Sequence, residues 1–272
     1  MATKKKTSST PAKPHHEDTA DDDVSWIPCA AYLDLESSPK SALLIIFAIR
    51  FGFSMAFGEK NYHPDQSWQG HEMAYKIAYG DVVDIVSTWE WLDYYALRSH
   101  LYPAFLSLPL HLWRILGIDS NFLVCNSILF MNAIIQVMGD YFLFHLANDM
   151  IGKQGALMTI VYALLNKRIN EIFQKTLTNG CEAAFCVMGL YYFAHLKPKF
   201  DRNMTLMTLG ITVAFIVRSS SLVGWIPLAL FQCFSSMNYF FAIVLSGLFV
   251  AVPTFGLSVL IDSLCYGRFT CP

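Results

Sequence analysis

Apolar runs at about residues 41–57, 103–117, 121–147, 154–170, 180–196, 204–217, 221–234 and 237–261 succeed one another along the chain, and the one long polar connection between them is the stretch 58–103. A helix needs roughly 20 residues to cross about 30 Å of hydrocarbon. Inside lipid its backbone groups must be paired within the segment itself. The pattern therefore predicts an all-α, polytopic membrane protein. Composition agrees: 15% of residues are charged, and mean hydropathy is +0.40, whereas soluble domains carry about 25% charged residues. A net charge of −2 offers no electrostatic footprint for nucleic acid.

The run 103–117 stands apart. At 1.5 Å per residue it reaches about 22 Å, and it contains Pro109, His111 and Arg114. It is expected to be re-entrant or to lie on the membrane surface, with its backbone covered by protein. About seven spans then remain, some borrowing flanking residues. The stretch "MATKKKTSSTPAKPHHEDTADDD" has no secretory h-region, so residues 1–40 are expected to form a disordered cytosolic tail, His15 and His16 included. Lys4, Lys5, Lys6, Lys13 and Lys40 precede the first span, which favours a cytosolic N-terminus. Lys153 and the segment 197–202 are then cytosolic, and 58–120, 171–179, 218–220 and 262–272 lumenal. The short loops carry balanced basic residues on both sides, so helix length rather than charge sets this parity. It leaves the sequon Asn203-Met204-Thr205 on the cytosolic side. The seven cysteines show no metal-ligand spacing. Cys181 and Cys186 read as small apolar packers, and Cys265 and Cys271 are open to pairing if lumenal.

The long connection is where chemistry gathers. "SWQGHEMAYKIAYG" places Trp68, His71 or Glu72, Tyr75 and Tyr79 three or four apart, one stripe of an amphipathic helix. Trp89, Trp91, Tyr94, Tyr95 and Tyr102 follow, and such rings favour the membrane–water boundary. The loop should lie flat on the bilayer as short helices. Asp65, Glu72, Glu90 and Asp93 are thereby lowered toward lipid, where charge is costly unless paired. Ion pairing with Arg98 or His100 would staple the loop. A general base meeting a lipid-borne substrate is the functional alternative, with Asp65 favoured because it follows the first span and Pro64 fixes the backbone before it. Glu90, between two tryptophans, sits where a carboxylate pKa rises. Three polar islands punctuate the later runs: "QKTLTNGCE" (174–182), "RSSS" (218–221) and "DSLCYGRF" (262–269). In this parity all face the same side as 58–103, and a cation there for a phosphate and a carboxylate for a proton would form one chamber.

Taken in order, "HPDQSWQGHEMAYKIAYG", "STWEW", "LRSHLYP", "KTLTN", "VRSSSLVGWIPL" and "IDSLCYGRFT" resemble the motifs of glycosyltransferase family 22, the dolichyl-phosphate-mannose-dependent α-mannosyltransferases of the endoplasmic reticulum. The likeness covers roughly residues 43–272. It implies a GT-C fold with a catalytic first lumenal loop at 58–120, within a transmembrane domain 41–272 whose C-terminal part is expected to be missing. It implies an inverting enzyme with no cofactor, whose donor is dolichyl-phosphate-mannose. "TWEW" followed by "LRSHLYP" and "KTLTN" is most similar to the branch that adds the third mannose to the glycosylphosphatidylinositol (GPI) glycolipid precursor. The branch acting on lipid-linked oligosaccharide comes second. The catalytic residues so implied are Asp65, Glu72 and Glu90. The substrate-binding residues are His63, Arg98, Thr178, Asn179, Arg218 and Asp262, with Arg218 on the lipid phosphate. Gln66 stands where the family usually has Glu, and Ser219 where it has Pro. A truncated, non-catalytic relative is the competing reading. A small transporter would line a mid-span path with charge, but the charges here are read as clustering at one interface.

Overall fold

The computed structural model describes residues 30–57, 64–80, 82, 87–92, 94–173 and 175–271. His63 and Asp93 lie outside the described residues. Among these the chain is helical throughout: α1 (Pro39–Phe57), α2 (Pro64–Gln66), a π turn at Ser67–His71, α3 (Glu72–Tyr79), α4 (Leu101–Leu116), α5 (Asn121–Leu165), α6 (Lys167–Phe173), α7 (Thr178–Ala194), α8 (Arg202–Val217), α9 (Leu222–Ser235), α10 (Met237–Ser246) and α11 (Val252–Tyr266). Three stretches, Pro39–Phe57, Asn121–Leu165 and Met237–Tyr266, are long and apolar enough to cross a membrane. The all-helical membrane class is as expected.

α5 is two helices in one. Gly152 takes φ 79°, ψ 172°, a conformation open to glycine and hardly to other residues. The chain reverses there, separating the apolar runs 121–147 and 154–170. Lys153 Nζ meets Asp34 at 2.7 Å beside the reversal, and at the far end Arg50 holds both Asp140 and Asn170. Both arms therefore run along α1. Ala42 and Ile46 of α1, Phe144 of the first arm and Ile160 of the second share one core. Leu33 and Leu35 bury into the same core, and Asp34 caps the turn by accepting from the Ser37 hydroxyl at 2.6 Å. Within the stretch 1–40 expected to be a disordered tail, residues 30–40 instead form the 3-10 turn Ala30–Leu33 and the start of α1, because two leucines have apolar partners to cover. The rest of the tail, 1–29, lies outside the described residues.

Arg50 and Asp140 correct a second expectation. Their paired bonds, Nε to Oδ2 and Nη2 to Oδ1, are 2.8 Å each, with both side chains almost fully buried. Charge is therefore present within the apolar runs as well as at the interface. It forms a closed clamp rather than a path: Asn170 Oδ1 takes Arg50 Nη1 at 2.6 Å, and the Phe173 ring covers the guanidinium. Full pairing is what makes a buried charge tolerable in lipid.

α4 is a half-buried helix that keeps Pro109 in its interior and ends at Gly117, φ 66°. It packs on α3 through Leu106, Leu110, Ala74 and Ala78. The first loop is thus a pair of packed helices and not a set of flat surface helices alone, although Trp89, Tyr94 and Tyr95 remain exposed and stack edge-on, as boundary aromatics do. α7 and α8 approach closely because both partners are glycine: a Cβ on Gly210 would meet the Phe185 carbonyl at 3.0 Å and the Gly189 nitrogen at 3.2 Å. α9 to α11 turn Phe231, Phe234, Phe249 and Leu264 outward, as a lipid-facing surface would. The described cysteines are all free, Cys265 and Cys271 included, and Cys181 is buried as expected of an apolar packer.

Candidate active site

The polar islands meet at one end of the bundle. Thr176 donates to the Gln66 carbonyl at 3.2 Å, Thr178 to Gln69 Oε1 at 3.1 Å, and Tyr266 to the Arg98 carbonyl at 3.1 Å. The segments that carry Gln66 and Gln69 are thus joined to the start of α7, and the one that carries Arg98 to the end of α11.

Two features set its local geometry. The turn after Glu90 is closed by Leu97 N donating to the Glu90 carbonyl at 3.1 Å, with Ala96 at φ 44°. Such a φ is uncommon for a non-glycine residue, and here it brings Arg98 back beside Glu90. The π turn Ser67–His71, closed by Glu72 N–H to the Ser67 carbonyl, re-aims the side chains that follow it. Gly70 permits it: a Cβ there would stand 2.5 Å from Thr176 Oγ1. Gln66, Gln69, Met73 and Ala74 consequently face the bundle, while Ser67, Trp68, His71, Glu72 and Tyr75 line a separate cavity.

On the bundle side, Arg98 grips Glu90 through both oxygens at 3.1 Å and donates Nη1 to Thr178 Oγ1 at 3.1 Å. Arg218 Nη1 lies 3.4 Å from Glu182 Oε2, one turn beyond Thr178 on α7. Glu90, Arg98, Arg218, Ser219 and Ser220 line a cavity of about 290 Å³. Phe215 and Phe255 line it too, and both also line an apolar trough of about 600 Å³ between α8, α9, α10 and α11. A pocket with two guanidinium groups and a carboxylate thus shares two aromatic walls with an apolar trough.

The site expectations resolve unevenly. Glu90, Arg98, Thr178 and Arg218 come together. Glu90 is spent on a bidentate ion pair, so it is a positioning group for Arg98; the apolar setting expected from its flanking tryptophans is replaced by this salt bridge. Asp262 does not face the pocket. It is fully buried, accepts from the backbone N–H of His100 and from Ser258 Oγ at 3.2 Å, and lies 3.1 Å from His100 Nδ1. It therefore anchors the segment that carries Arg98. Asn179 is exposed at the start of α7, outside both cavity linings. Glu72 lies on the second cavity, apart from the arginines. Burial raises its carboxyl above the ordinary value, and burial pushes the His71 imidazole down to about 4. Asp65 sits half-buried on α2, just before the turn whose residues Ser67, Trp68, His71 and Glu72 line the second cavity, and it is in neither cavity lining itself. Gln69, Thr176 and Ser258 were not singled out by sequence reasoning, since neutral hydroxyls and amides carry no signal without their partners. Among the described residues no group of three acidic, His or Cys side chains is placed to hold a metal ion.

Residues 41–272 match the Alg9-like mannosyltransferase family, and the chain belongs to that family, as its motif order implied. Among curated relatives it is 24% identical to "Mannosyltransferase APTG1" of Arabidopsis thaliana over 85% of this chain and 42% of the relative. It is 26% identical to "GPI alpha-1,2-mannosyltransferase 3" of Bos taurus (84% and 41%) and of Homo sapiens (84% and 40%). The chain therefore spans less than half the length of the curated relatives it matches. No solved structure matches the chain.

Proposed function

We propose that this chain forms the donor-binding and base-bearing part of an endoplasmic-reticulum mannosyltransferase that moves mannose from dolichyl-phosphate-mannose to a mannose of the GPI glycolipid precursor. The acceptor identity, and the third-mannose, α-1,2 linkage, follow from what the relatives' names describe. The observation that carries the reading is that the Arg98/Arg218 pocket and the apolar trough share Phe215 and Phe255 as walls. A polyprenyl phosphate has the same two parts, an anion and a long apolar tail. Arginine pairs with phosphate through its planar fork, and the trough accepts hydrocarbon.

The chemistry is a single displacement. The acceptor hydroxyl oxygen attacks the anomeric carbon, the bond from that carbon to the phosphate oxygen breaks with inversion, and the hydroxyl proton passes to the Asp65 carboxylate. Dolichyl phosphate leaves, its added charge met by Arg218 and Arg98. Because the leaving group is already a good one, a single base suffices, in contrast to the carboxylate pair of glycoside hydrolases. In this reading the polar end of the bundle is lumenal and the N-terminus cytosolic. About seven crossings are made by α1, the two arms of α5, α7, α8, α9 and the continuous α10–α11 rod.

Gln66, buried where the family usually has Glu, favours one alternative: a relative that binds the lipid-linked sugar without turnover. Microsomes from cells lacking the third GPI mannosyltransferase separate the two when supplied with this chain. Extension of the two-mannose intermediate, abolished by Asp65→Ala, is expected. Folded protein without extension contradicts the enzymatic reading.

A further inference from the structure

The second cavity, about 920 Å³, is lined by the turn and helix that follow α2, through Ser67, Trp68, His71, Glu72 and Tyr75. Trp68 and Tyr75 give it aromatic walls, and Glu72 and Asp119 give it two carboxylates. His71 Nε2 and Thr88 Oγ1, both in its lining, are shielded from solvent and have no hydrogen-bond partner among the described residues. Shielded polar atoms without partners are costly in a protein interior, and two in one cavity indicate that a polar occupant completes it.

The lining selects the chemistry of that occupant. No Lys or Arg is among the described lining residues; the Lys76 ammonium reaches the edge of the cavity, donating to the lining residue Ser87 at 2.6 Å. A phosphate would face two carboxylates against this single ammonium, so the lining favours an uncharged or cationic group over the donor headgroup. What remains is a neutral or amine-bearing polyol. Each hydroxyl both donates and accepts, which serves a neutral imidazole nitrogen, a threonine hydroxyl and a carboxylate alike, while the C–H faces of a sugar ring lie on the aromatic walls.

We infer that this cavity is the subsite for the glycan of the acceptor, and that Glu72 and Asp119 bind its hydroxyl or amino groups. Glu72 is then a recognition residue rather than a catalytic one. The inference rests on the mannosyltransferase reading for the identity of the acceptor. It gives donor and acceptor separate cavities, the phosphate in the Arg98/Arg218 pocket and the glycan in this one, whose linings share no residue.

Cys125 lines the cavity and is exposed, so it reports occupancy. The full chain in detergent is labelled with a maleimide and the rate at Cys125 read by peptide mass spectrometry. Two-mannose GPI glycolipid at ten times its Kd is expected to slow labelling about tenfold by mass action, dolichyl phosphate to leave it unchanged, and Asp119→Asn to weaken the protection. Unchanged labelling with the glycolipid, or equal protection by dolichyl phosphate, overturns the inference. Neither result bears on whether Arg218 binds dolichyl phosphate, so failure here is distinguishable from failure of the donor assignment.

Discussion

The Thr178 hydroxyl accepts Arg98 Nη1 at 3.1 Å and passes its own proton toward Gln69 Oε1 at 3.1 Å, so the first residue of α7 ties together two segments of the first loop that hold the pocket. Thr178 is buried, and removing its oxygen leaves both neighbours short of a partner. Thr178→Val is expected to cost about 1–3 kcal/mol in thermal unfolding, whereas Thr178→Ser, which keeps the oxygen, recovers most of it. Equal loss in both variants would mean that the methyl packing matters and the relay does not.

The Arg50–Asp140 clamp makes a separate prediction. Either single alanine substitution strands a buried charge, and about 3–5 kcal/mol of stability is expected to be lost. Arg50→Lys should fail to rescue, because one ammonium cannot reproduce bonds to Asp140 and Asn170 together. Replacing both partners, Arg50→Met with Asp140→Leu, is expected to be far milder than either alanine change. Thermal unfolding in detergent is the measurement; a double replacement as harmful as the single ones contradicts the account.

Acid sensitivity follows from His71. Its folded-state pKa of about 4 lies below the ordinary 6.5, so between those values the unfolded chain binds a proton that the folded chain refuses. The associated stability is complete above about pH 6.5 and declines toward pH 4, by at most about 3 kcal/mol. Glu72, raised by burial, acts with the opposite sign at the acid end, and Asp119 shares the cavity, so the test is a difference. Unfolding midpoints across pH 4 to 7 should fall less steeply in His71→Gln than in the parent chain. Parallel slopes would remove the imidazole from the explanation.

How much of this was legible in the sequence depended on how far each contact reaches. The helical membrane class follows from apolar periodicity, a local signal. The break at Gly152 was visible as the gap between two apolar runs, but the hairpin it makes was fixed by Arg50, Asp140 and Asn170, which are far apart in the chain. Those charges were in plain view inside apolar runs, and their rarity in lipid was the signal that could have paired them. Glu90 and Asp262 stood out in the sequence as ionisable groups, and pairing of Glu90 with Arg98 was one of its open readings, but the contact of Asp262 with His100 was not legible there. Whether a carboxylate faces a pocket or grips its neighbour depends on turns such as the one at Ala96, where a non-glycine residue adopts a left-handed conformation against its preference. The division of the loop into two faces follows the π turn Ser67–His71, where Gly70 leaves room for Thr176, and no spacing rule announces it.

The most direct test of the central claim is the affinity of the full chain in detergent for dolichyl phosphate, compared among the parent, Arg218→Ala and Arg268→Ala. Arg268 is exposed and lines neither cavity. Loss of a charge-assisted phosphate contact raises Kd by about 10- to 100-fold, so that increase is expected for Arg218→Ala and none for Arg268→Ala. An unchanged Kd in Arg218→Ala, with the protein folded, would contradict the assignment of the pocket to the lipid phosphate.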